Sequence, residues 1–267
     1  MAVSLPSKIQ GPVSVIGDVH GQVDKLEAVL DQLAARPDFD QRWLVFMGDF
    51  VDRGPDPKAS IDMFVRLLKQ HPKTTSVAGN HEFAMGASLG WFPTAEYTNW
   101  GERWVAHYDS ESTFGSYGVA HGDLAGLNAA MPARHKELLL NLPWVVEHPQ
   151  FLFVHAGLDP NAPYDMQLRI LRQKDFTLNR PLWLCSKTFV DSDPPVDCPL
   201  AVVSGHVRVP TVQIRPKRVL CDTTGGTEGE LSCVLLPERK VITSAGPGEP
   251  MTVGASAGGN GSWWKFW

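Results

Sequence analysis

Three short β-branched or aromatic runs near the start of the chain each end in glycine, and each glycine is followed by carboxylate, amide or imidazole side chains. Val13-Ser14-Val15-Ile16 stops at Gly17, Trp43 to Met47 at Gly48, and Thr74 to Ala78 at Gly79. Apolar residues at helical spacing lie between them. Leu26, Val29, Leu30 and Leu33 predict a helix over about 22–35, and Ile61, Phe64, Val65 and Leu68 mark a second, entered through Pro55 and Pro57. A chain that alternates strand, glycine, polar turn and helix builds an α/β sheet. In such a sheet functional groups collect where the strands end.

The same kind of run returns at Phe151–Val154 and Ala201–Ser204, and Arg218–Cys221, Leu231–Leu236 and Lys240–Thr243 read as a closing meander. The stretch from about Phe83 to Gly118 is rich in glycine and aromatics, among them Trp91, Phe92, Trp100, Trp104, Tyr108 and Phe114. It reads as a small helical cap with its own core, a minority of its aromatics lining a cleft. From Gly246 the composition turns to Gly, Ser and Ala and ends Trp263-Trp264-Lys265-Phe266-Trp267, which reads as a flexible tail over 246–267. One domain over 1–245 remains, with the cap inserted at about 83–118.

Composition removes several classes. With 24 Lys+Arg against 29 Asp+Glu the formal charge is −5, which disfavours general binding of nucleic acid. No apolar run reaches the roughly 18–20 residues of a membrane span. Met1 to Pro12 lacks a signal-type apolar stretch, so a cytoplasmic protein is expected. Cys185, Cys198, Cys221 and Cys233 form no C-x-x-C pair, and four buried thiols in a reducing compartment account for them best. Nine histidines are left to explain. His71 and His148, each before a proline, are expected in exposed turns, and His107 and His135 on helix surfaces; His121 takes no role.

Each strand end carries polar groups of one kind: Gly17-Asp18-Val19-His20-Gly21, then Gly48-Asp49-Phe50-Val51-Asp52-Arg53-Gly54, then Gly79-Asn80-His81-Glu82. Val154-His155-Ala156-Gly157 and Ser204-Gly205-His206 repeat the placement of a His just after a β-type run. Asp18 and His20, two apart in an extended segment, point the same way and can meet one ion. Singly, each group has a structural explanation as a cap or a satisfied polar side chain; the ordered set of five reads as a site. A donor set of Asp, His and Asn without thiolate favours Mn²⁺, iron or Zn²⁺, and it is large enough for two ions about 3.5–4 Å apart. Two divalent ions against Asp18 and Asp49 leave the site electropositive. A phosphate dianion would balance it, with the Arg53 fork on its oxygens.

In order and spacing GDVHG, GDFVDRG, GNHE, VHAGL and SGH resemble the signature of PPP-type, calcineurin-like metallophosphoesterases, which include Ser/Thr phosphatases and bacterial diadenosine-tetraphosphate hydrolases. The resemblance spans about residues 13–243. AGNHEFAMGASLG, STFGSYGVAHG, LRILRQKD and VVSGH further resemble the Rhizobiales-like branch, whose plant members are associated with phosphotyrosine. The resemblance implies a four-layer α/β/β/α sandwich and two divalent metal ions (Mn²⁺, Fe²⁺/Fe³⁺ or Zn²⁺). It implies Asp18, His20 and Asp49 on the first ion and Asp49, Asn80, His155 and His206 on the second. His81 would be the general acid oriented by Asp52, opposite a metal-activated hydroxide in in-line attack, with Arg53 on the phosphoryl group.

One departure stands out. These enzymes place a second phosphate-binding Arg before the last His motif, whereas Pro181 to Phe189 here contains none. Lys187, Arg172 and Arg208 are the substitutes to weigh against plain surface charges. The segment from Trp91 to Tyr108 is also shorter than in the plant members, which would reduce a peptide-docking surface. The reading favoured is a metal-dependent phosphomonoesterase acting on phosphorylated protein or peptide, at phosphotyrosine or phosphoserine/threonine. The alternatives are a hydrolase of diadenosine tetraphosphate or another small phosphoester, with the aromatic segment stacking the base, and a phosphoprotein-binding adaptor without turnover.

Overall fold

The structure is a computed structural model and describes residues 5–252. The first part runs β1 (Val13–Ile16), α1 (Val23–Ala34), β2 (Trp43–Phe46), α2 (Pro57–Gln70), β3 (Thr74–Ser76) and α3 (Asn80–Ser88). Short helices follow: α4 (Trp100–His107), α5 (Glu111–Ser116), α6 (Leu124–Ala130) and α7 (Ala133–Asn141). Then come β4 (Val146–Glu147), β5 (Phe151–Phe153), α8 (Tyr164–Gln173), α9 (Leu182–Cys185) and β6 (Ala201–Ser204). The chain closes with β7 (Gln213–Ile214), β8 (Arg218–Leu220), β9 (Ser232–Leu236), β10 (Lys240–Thr243), β11 (Gly246–Gly248) and β12 (Met251–Thr252).

Two six-stranded sheets result, in the orders β11-β10-β9-β1-β2-β3 and β12-β7-β8-β6-β5-β4. β1, β2 and β3 run parallel, as do β5, β6 and β8, while β9 closes on β1 antiparallel with Val13 opposite Leu236. The two-residue period of the strands separates the layers. Val13, Val15, Val45 and Met47 meet Phe151, Phe153, Val203 and Val219 between the sheets, whereas Ile16, Leu44, Phe46 and Leu152, Val202 turn outward into the helix-packed core. That is the expected α/β/β/α sandwich. Both predicted helices form: α1 buries Leu26, Val29 and Leu33, and α2 opens with Pro57 and the Asp56 side chain accepting from the Ala59 N–H at 2.8 Å.

Several expectations need correction. Gly246 to Gly248 is not tail but the edge strand beside β10, and Met251–Thr252 pairs parallel with β7, so the chain passes from one sheet to the other. The cause is backbone supply: edge strands offer unpaired N–H and C=O groups that a glycine-rich segment can pair without steric conflict. The aromatic terminus lies outside the described residues. His71, His135 and His148 are buried rather than exposed. His71 packs on the Phe39 ring at 4.6 Å, His148 bonds the Gly11 carbonyl at 2.9 Å, and His135 sits between the Tyr117 hydroxyl (2.8 Å) and Asp62 (3.1 Å). The cap differs too. α3 is buried along almost its whole length and packs as a core helix, and the helical layer runs on to Asn141. Trp100, Trp104 and Phe114 are core residues, and all four cysteines are buried and free. No helix among the described residues is long and apolar enough to cross a membrane.

Arg42, wholly buried just ahead of β2, ties the lower end of the first sheet. It donates to the Val13 carbonyl at 3.0 Å, to Asp38 at 2.8 Å and to Glu238. Hydrogen bonds from Arg36 and Arg42 hold the Asp38 carboxyl down at about 2, outweighing what little desolvation it suffers. A carboxyl depressed on folding stabilises above its unfolded value and loses that contribution as pH falls through its folded one. Urea unfolding of Asp38→Asn should therefore show a loss of about 1 kcal/mol at pH 7, reduced by solvent screening, with the gap to wild type closing as pH drops from 4 toward 2.

Candidate active site

The predicted metal-ligand and acid candidates sit at the carboxyl ends of the parallel strands. β1 delivers Asp18 and His20, β2 delivers Asp49, Asp52 and Arg53, and β3 leads into Asn80, His81 and Glu82 at the start of α3. From the second sheet come His155 after β5 and His206 after β6. The turns are tight. His20, Asp49, Asp52, Arg53 and His206 hold positive φ angles of 42°, 49°, 69°, 66° and 67°. Each such L-residue costs on the order of 1–3 kcal/mol and persists only where its surroundings over-determine it.

Asp49 is the centre. Its Oδ2 faces the Nε2 atoms of His155 at 3.3 Å, His20 at 3.5 Å and His81 at 4.0 Å, and its Oδ1 accepts from the His81 N–H at 3.0 Å. His155 and His20 each direct Nδ1 at a backbone carbonyl, Met47 at 2.6 Å and Val51 at 2.8 Å. Those bonds fix the ring orientation and aim both Nε2 atoms inward. Asn80 Oδ1 lies 3.1 Å from His155 Nε2 and accepts from His206 Nδ1 at 2.8 Å. Two groups with ligand spacing result, His20–Asp49–His81 and Asp49–His155–His206, sharing Asp49.

The first group differs from the expected one: His81 falls within it, whereas Asp18 uses Oδ2 to accept from the His206 N–H at 2.7 Å. Asp18 Oδ1, His206 Nε2 and Asp222 Oδ2 are buried without a hydrogen-bond partner. Buried donor atoms left open, imidazoles aimed at a carboxylate and no thiolate make a set that fits borderline divalent cations.

Charge follows the same geometry. Burial raises the Asp18 carboxyl well above its ordinary range, and the neighbouring Asp222 adds to the rise. Burial works against ionised Asp49 as well, but the imidazoles of His155, His81 and His20 prevail and hold it well below. Burial opposes the charged form of His155 too, yet Asp49 and Asp18 lift it to about 10. His20 and His206 are pushed well below their usual value, chiefly by burial. His81 Nδ1 and Asp52 Oδ2 are 2.7 Å apart, both buried. Burial moves Asp52 up to about 7 and His81 down to about 3, each away from its charged form.

The cations separate. Arg53 is exposed, with Nη1 donating to His20 Nε2 at 3.2 Å and to the Gly225 carbonyl at 3.0 Å. Exposed Arg208 lays its side chain along Gly225, whose Cβ would fall 2.9 Å from its Cδ, and exposed Lys187 is close enough to disfavour charge on His206. Arg172 does not join them. Its guanidinium is bidentate on Glu147 of the edge strand β4, at 2.8 and 2.6 Å, so of the two readings weighed for it the surface charge holds.

Several residues escaped the sequence reading. Glu82 accepts the N–H groups of Asp49 (2.8 Å), Phe50 (2.7 Å) and Gly79 (3.0 Å), clamping the second turn to the third. Asp222 follows β8 and caps the Gly225 N–H at 2.8 Å; the strand-then-acid pattern that exposed the others also fits Val219-Leu220-Cys221-Asp222. Arg180, one residue ahead of the stretch without Arg, is close enough to favour the charged forms of the Cys185 thiol and of Tyr108, whose ring lies T-shaped to that of His81 at 5.0 Å. Trp104 and Thr113 reach Asp52 from the cap, with no local signal to announce them.

Gly79 leaves room for Asp49, since a Cβ there would lie 1.9 Å from Asp49 Oδ1. Gly79→Ala should displace that carboxylate and weaken Mn²⁺ binding by about 10–100-fold in calorimetry, with helix content by circular dichroism retained.

Comparison with known proteins agrees with this geometry. The chain is 28% identical over 229 residues to serine/threonine-protein phosphatase 2 of Escherichia coli, covering 82% of this chain and 89% of that protein. It is 27% identical over 166 residues to the symmetrical bis(5'-nucleosyl)-tetraphosphatase of Haemophilus ducreyi, where the match spans 61% of this chain and about half (52%) of the relative. The fold matches that of a cold-active protein-tyrosine phosphatase from a psychrophilic Shewanella, with a TM-score of 0.59, 17% identity and coverage of 90% and 80% of the two chains. Residues 11–222 match the model of one family, and the chain belongs to it: the calcineurin-like phosphoesterases.

Proposed function

We propose that this chain is a metal-dependent phosphomonoesterase acting on phosphorylated protein or peptide, with His81 as general acid. The observation that carries this is the buried His81–Asp52 pair at 2.7 Å, its imidazole within one of two groups of ligand spacing that share Asp49. A metal-binding adaptor needs no proton donor; a phosphoester hydrolase does. Asp18, His20, Asp49, Asn80, His155 and His206 would hold two divalent ions. When bound, such a pair supplies Lewis-acid charge for the phosphoryl oxygens and water acidified to near neutrality.

The chain's own residues do the rest. Exposed Arg53 orients the phosphoryl group, while its bond to the Gly225 carbonyl fixes where the fork stands. Asp52 holds His81 Nδ1, so the ring keeps Nε2 toward the Asp49 cluster and delivers its proton there to the leaving oxygen. Arg208, Lys187 and Arg180 are the candidates for the part of a second phosphate-binding Arg.

A protein substrate is supported by the match to the E. coli phosphatase across most of both chains. It is supported also by the fate of the cap aromatics: Trp100, Trp104 and Phe114 are buried in the core and not free to stack a base. Tyr108, half-buried with its ring 5.0 Å from that of His81, would contact the ring of a phosphotyrosine leaving group, in keeping with the branch-like segments. The four buried free thiols suit a reducing, cytoplasmic setting. Hydrolysis of a dinucleoside polyphosphate is the second reading, supported by the bis(5'-nucleosyl)-tetraphosphatase relatives.

With Mn²⁺, purified protein should turn over phosphotyrosine or phosphothreonine peptides at least about tenfold faster, by kcat/KM, than diadenosine tetraphosphate, a gap of about 1.4 kcal/mol in transition-state binding. The reverse order would transfer the assignment to the second reading. Replacing His81 by Asn should lower kcat by about 10²–10⁴-fold and leave Mn²⁺ affinity in calorimetry largely intact.

A further inference from the structure

Asp52 is wholly buried, and only one of its hydrogen bonds goes to His81. Trp104 on α4 donates Nε1–H to the same oxygen, Oδ2, at 2.8 Å. Thr113 on α5 donates its hydroxyl to Oδ1 at 2.6 Å and with the same oxygen accepts the Asp52 N–H at 2.8 Å. The next residue is held likewise, the Arg53 N–H donating to the Asp109 carbonyl between α4 and α5 at 2.9 Å. The cap thus grips two consecutive left-handed residues through four hydrogen bonds.

We propose that Trp104 and Thr113 are positioning residues of the reaction, acting through Asp52 to hold His81 in the tautomer and direction a general acid needs. The inference rests on the reading of His81 as that acid. A carboxylate has about four acceptor positions in its plane. Donors on both oxygens fix that plane, and a fixed plane fixes the line along which Nδ1–H of His81 can donate. The imidazole then keeps Nε2 on the opposite side, facing Asp49 at 4.0 Å. Remove the cap donors and the carboxylate turns about its last torsion, free to offer His81 either oxygen or neither. Both residues are fully buried and neither hydrogen-bonds a metal-ligand candidate, so they reach the chemistry only through Asp52.

The proton at stake is defined. Water adds to phosphorus while the bond to the leaving oxygen breaks, and that oxygen keeps the electron pair and takes the proton from His81 Nε2. The proton lost from water goes to solvent. An alkoxide such as serine leaves badly without that proton, whereas p-nitrophenolate leaves well alone. A fault in positioning therefore shows as a dependence on the leaving group, and a fault in metal binding or folding does not.

The test compares Thr113→Val, Thr113→Ser and Trp104→Phe with wild type and His81→Asn on a phosphoserine peptide, phenyl phosphate and p-nitrophenyl phosphate at saturating Mn²⁺. Valine keeps the volume of Thr113, and phenylalanine keeps an aromatic ring against Phe114, so either variant alone suffices. Thr113→Val and Trp104→Phe should each lower kcat about tenfold or more on the phosphoserine peptide and less than about threefold on p-nitrophenyl phosphate. Mn²⁺ affinity in calorimetry should stay within about twofold, and Thr113→Ser should restore the peptide rate. Equal losses on all three substrates, or lost Mn²⁺ binding, would overturn the inference. So would intact rates in both cap variants while His81→Asn shows the leaving-group dependence. If His81→Asn itself lacks that dependence, the assignment of the acid fails first.

Discussion

The fold converges on one buried carboxylate. Asp49 stands where the two sheets meet at their carboxyl edges, and imidazoles from both sheets face it: His20 and His81 from one, His155 from the other. An isolated ionised carboxylate in that position would be expensive. The surrounding cationic or cation-ready groups make it tenable, and the structure around them is fitted to keep them there. Gly79 gives up its side chain to Asp49 Oδ1, Glu82 ties the second and third turns together, and five site residues hold left-handed backbone angles. None of these features is favourable in isolation.

The sequence declared the strand-end groups because the signal there is local. A buried run, a glycine and a charged turn lie within a few residues, as at Ile16-Gly17-Asp18 or Met47-Gly48-Asp49, and the period-two burial of the strands follows directly from such runs. What it withheld depends on contacts far along the chain. Trp104 and Thr113 are 52 and 61 residues from the carboxylate they bond. His135 looked like a surface residue until Tyr117, just after α5, and Asp62, on α2, closed over it. Arg172 was attractive as a free cation, but Glu147 on an edge strand takes it up. Gly246 to Gly248 reads as linker in any local window and becomes a strand because β10 presents an open edge.

Net charge is a poor guide to a site of this kind. The chain is acidic by five charges, yet exposed Arg53 and Arg208 lie against the loop that carries Gly225 and Gly226, and exposed Lys187 is close enough to act on His206. That loop has no freedom to vary in bulk. A Cβ at Gly226 would come within 2.8 Å of both Arg53 and His20, so the backbone itself forms the wall against which the cation is set. Relatives with named substrates as different as a phosphoprotein and a dinucleoside polyphosphate align along this scaffold. Fold identity therefore carries reaction chemistry further than it carries substrate choice.

The cap has two faces with different freedoms. Inward, α4 and α5 are bound to Asp52 and Arg53 by hydrogen bonds of 2.6 to 2.9 Å. Outward, it presents residues such as Tyr97, 79% exposed. A segment built this way cannot be exchanged wholesale, because the exchange would take the hydrogen bonds to Asp52 and Arg53 with it. Adaptation to a new substrate has to proceed residue by residue on the outer surface, like re-cutting the wards of a lock while its bolt stays in place.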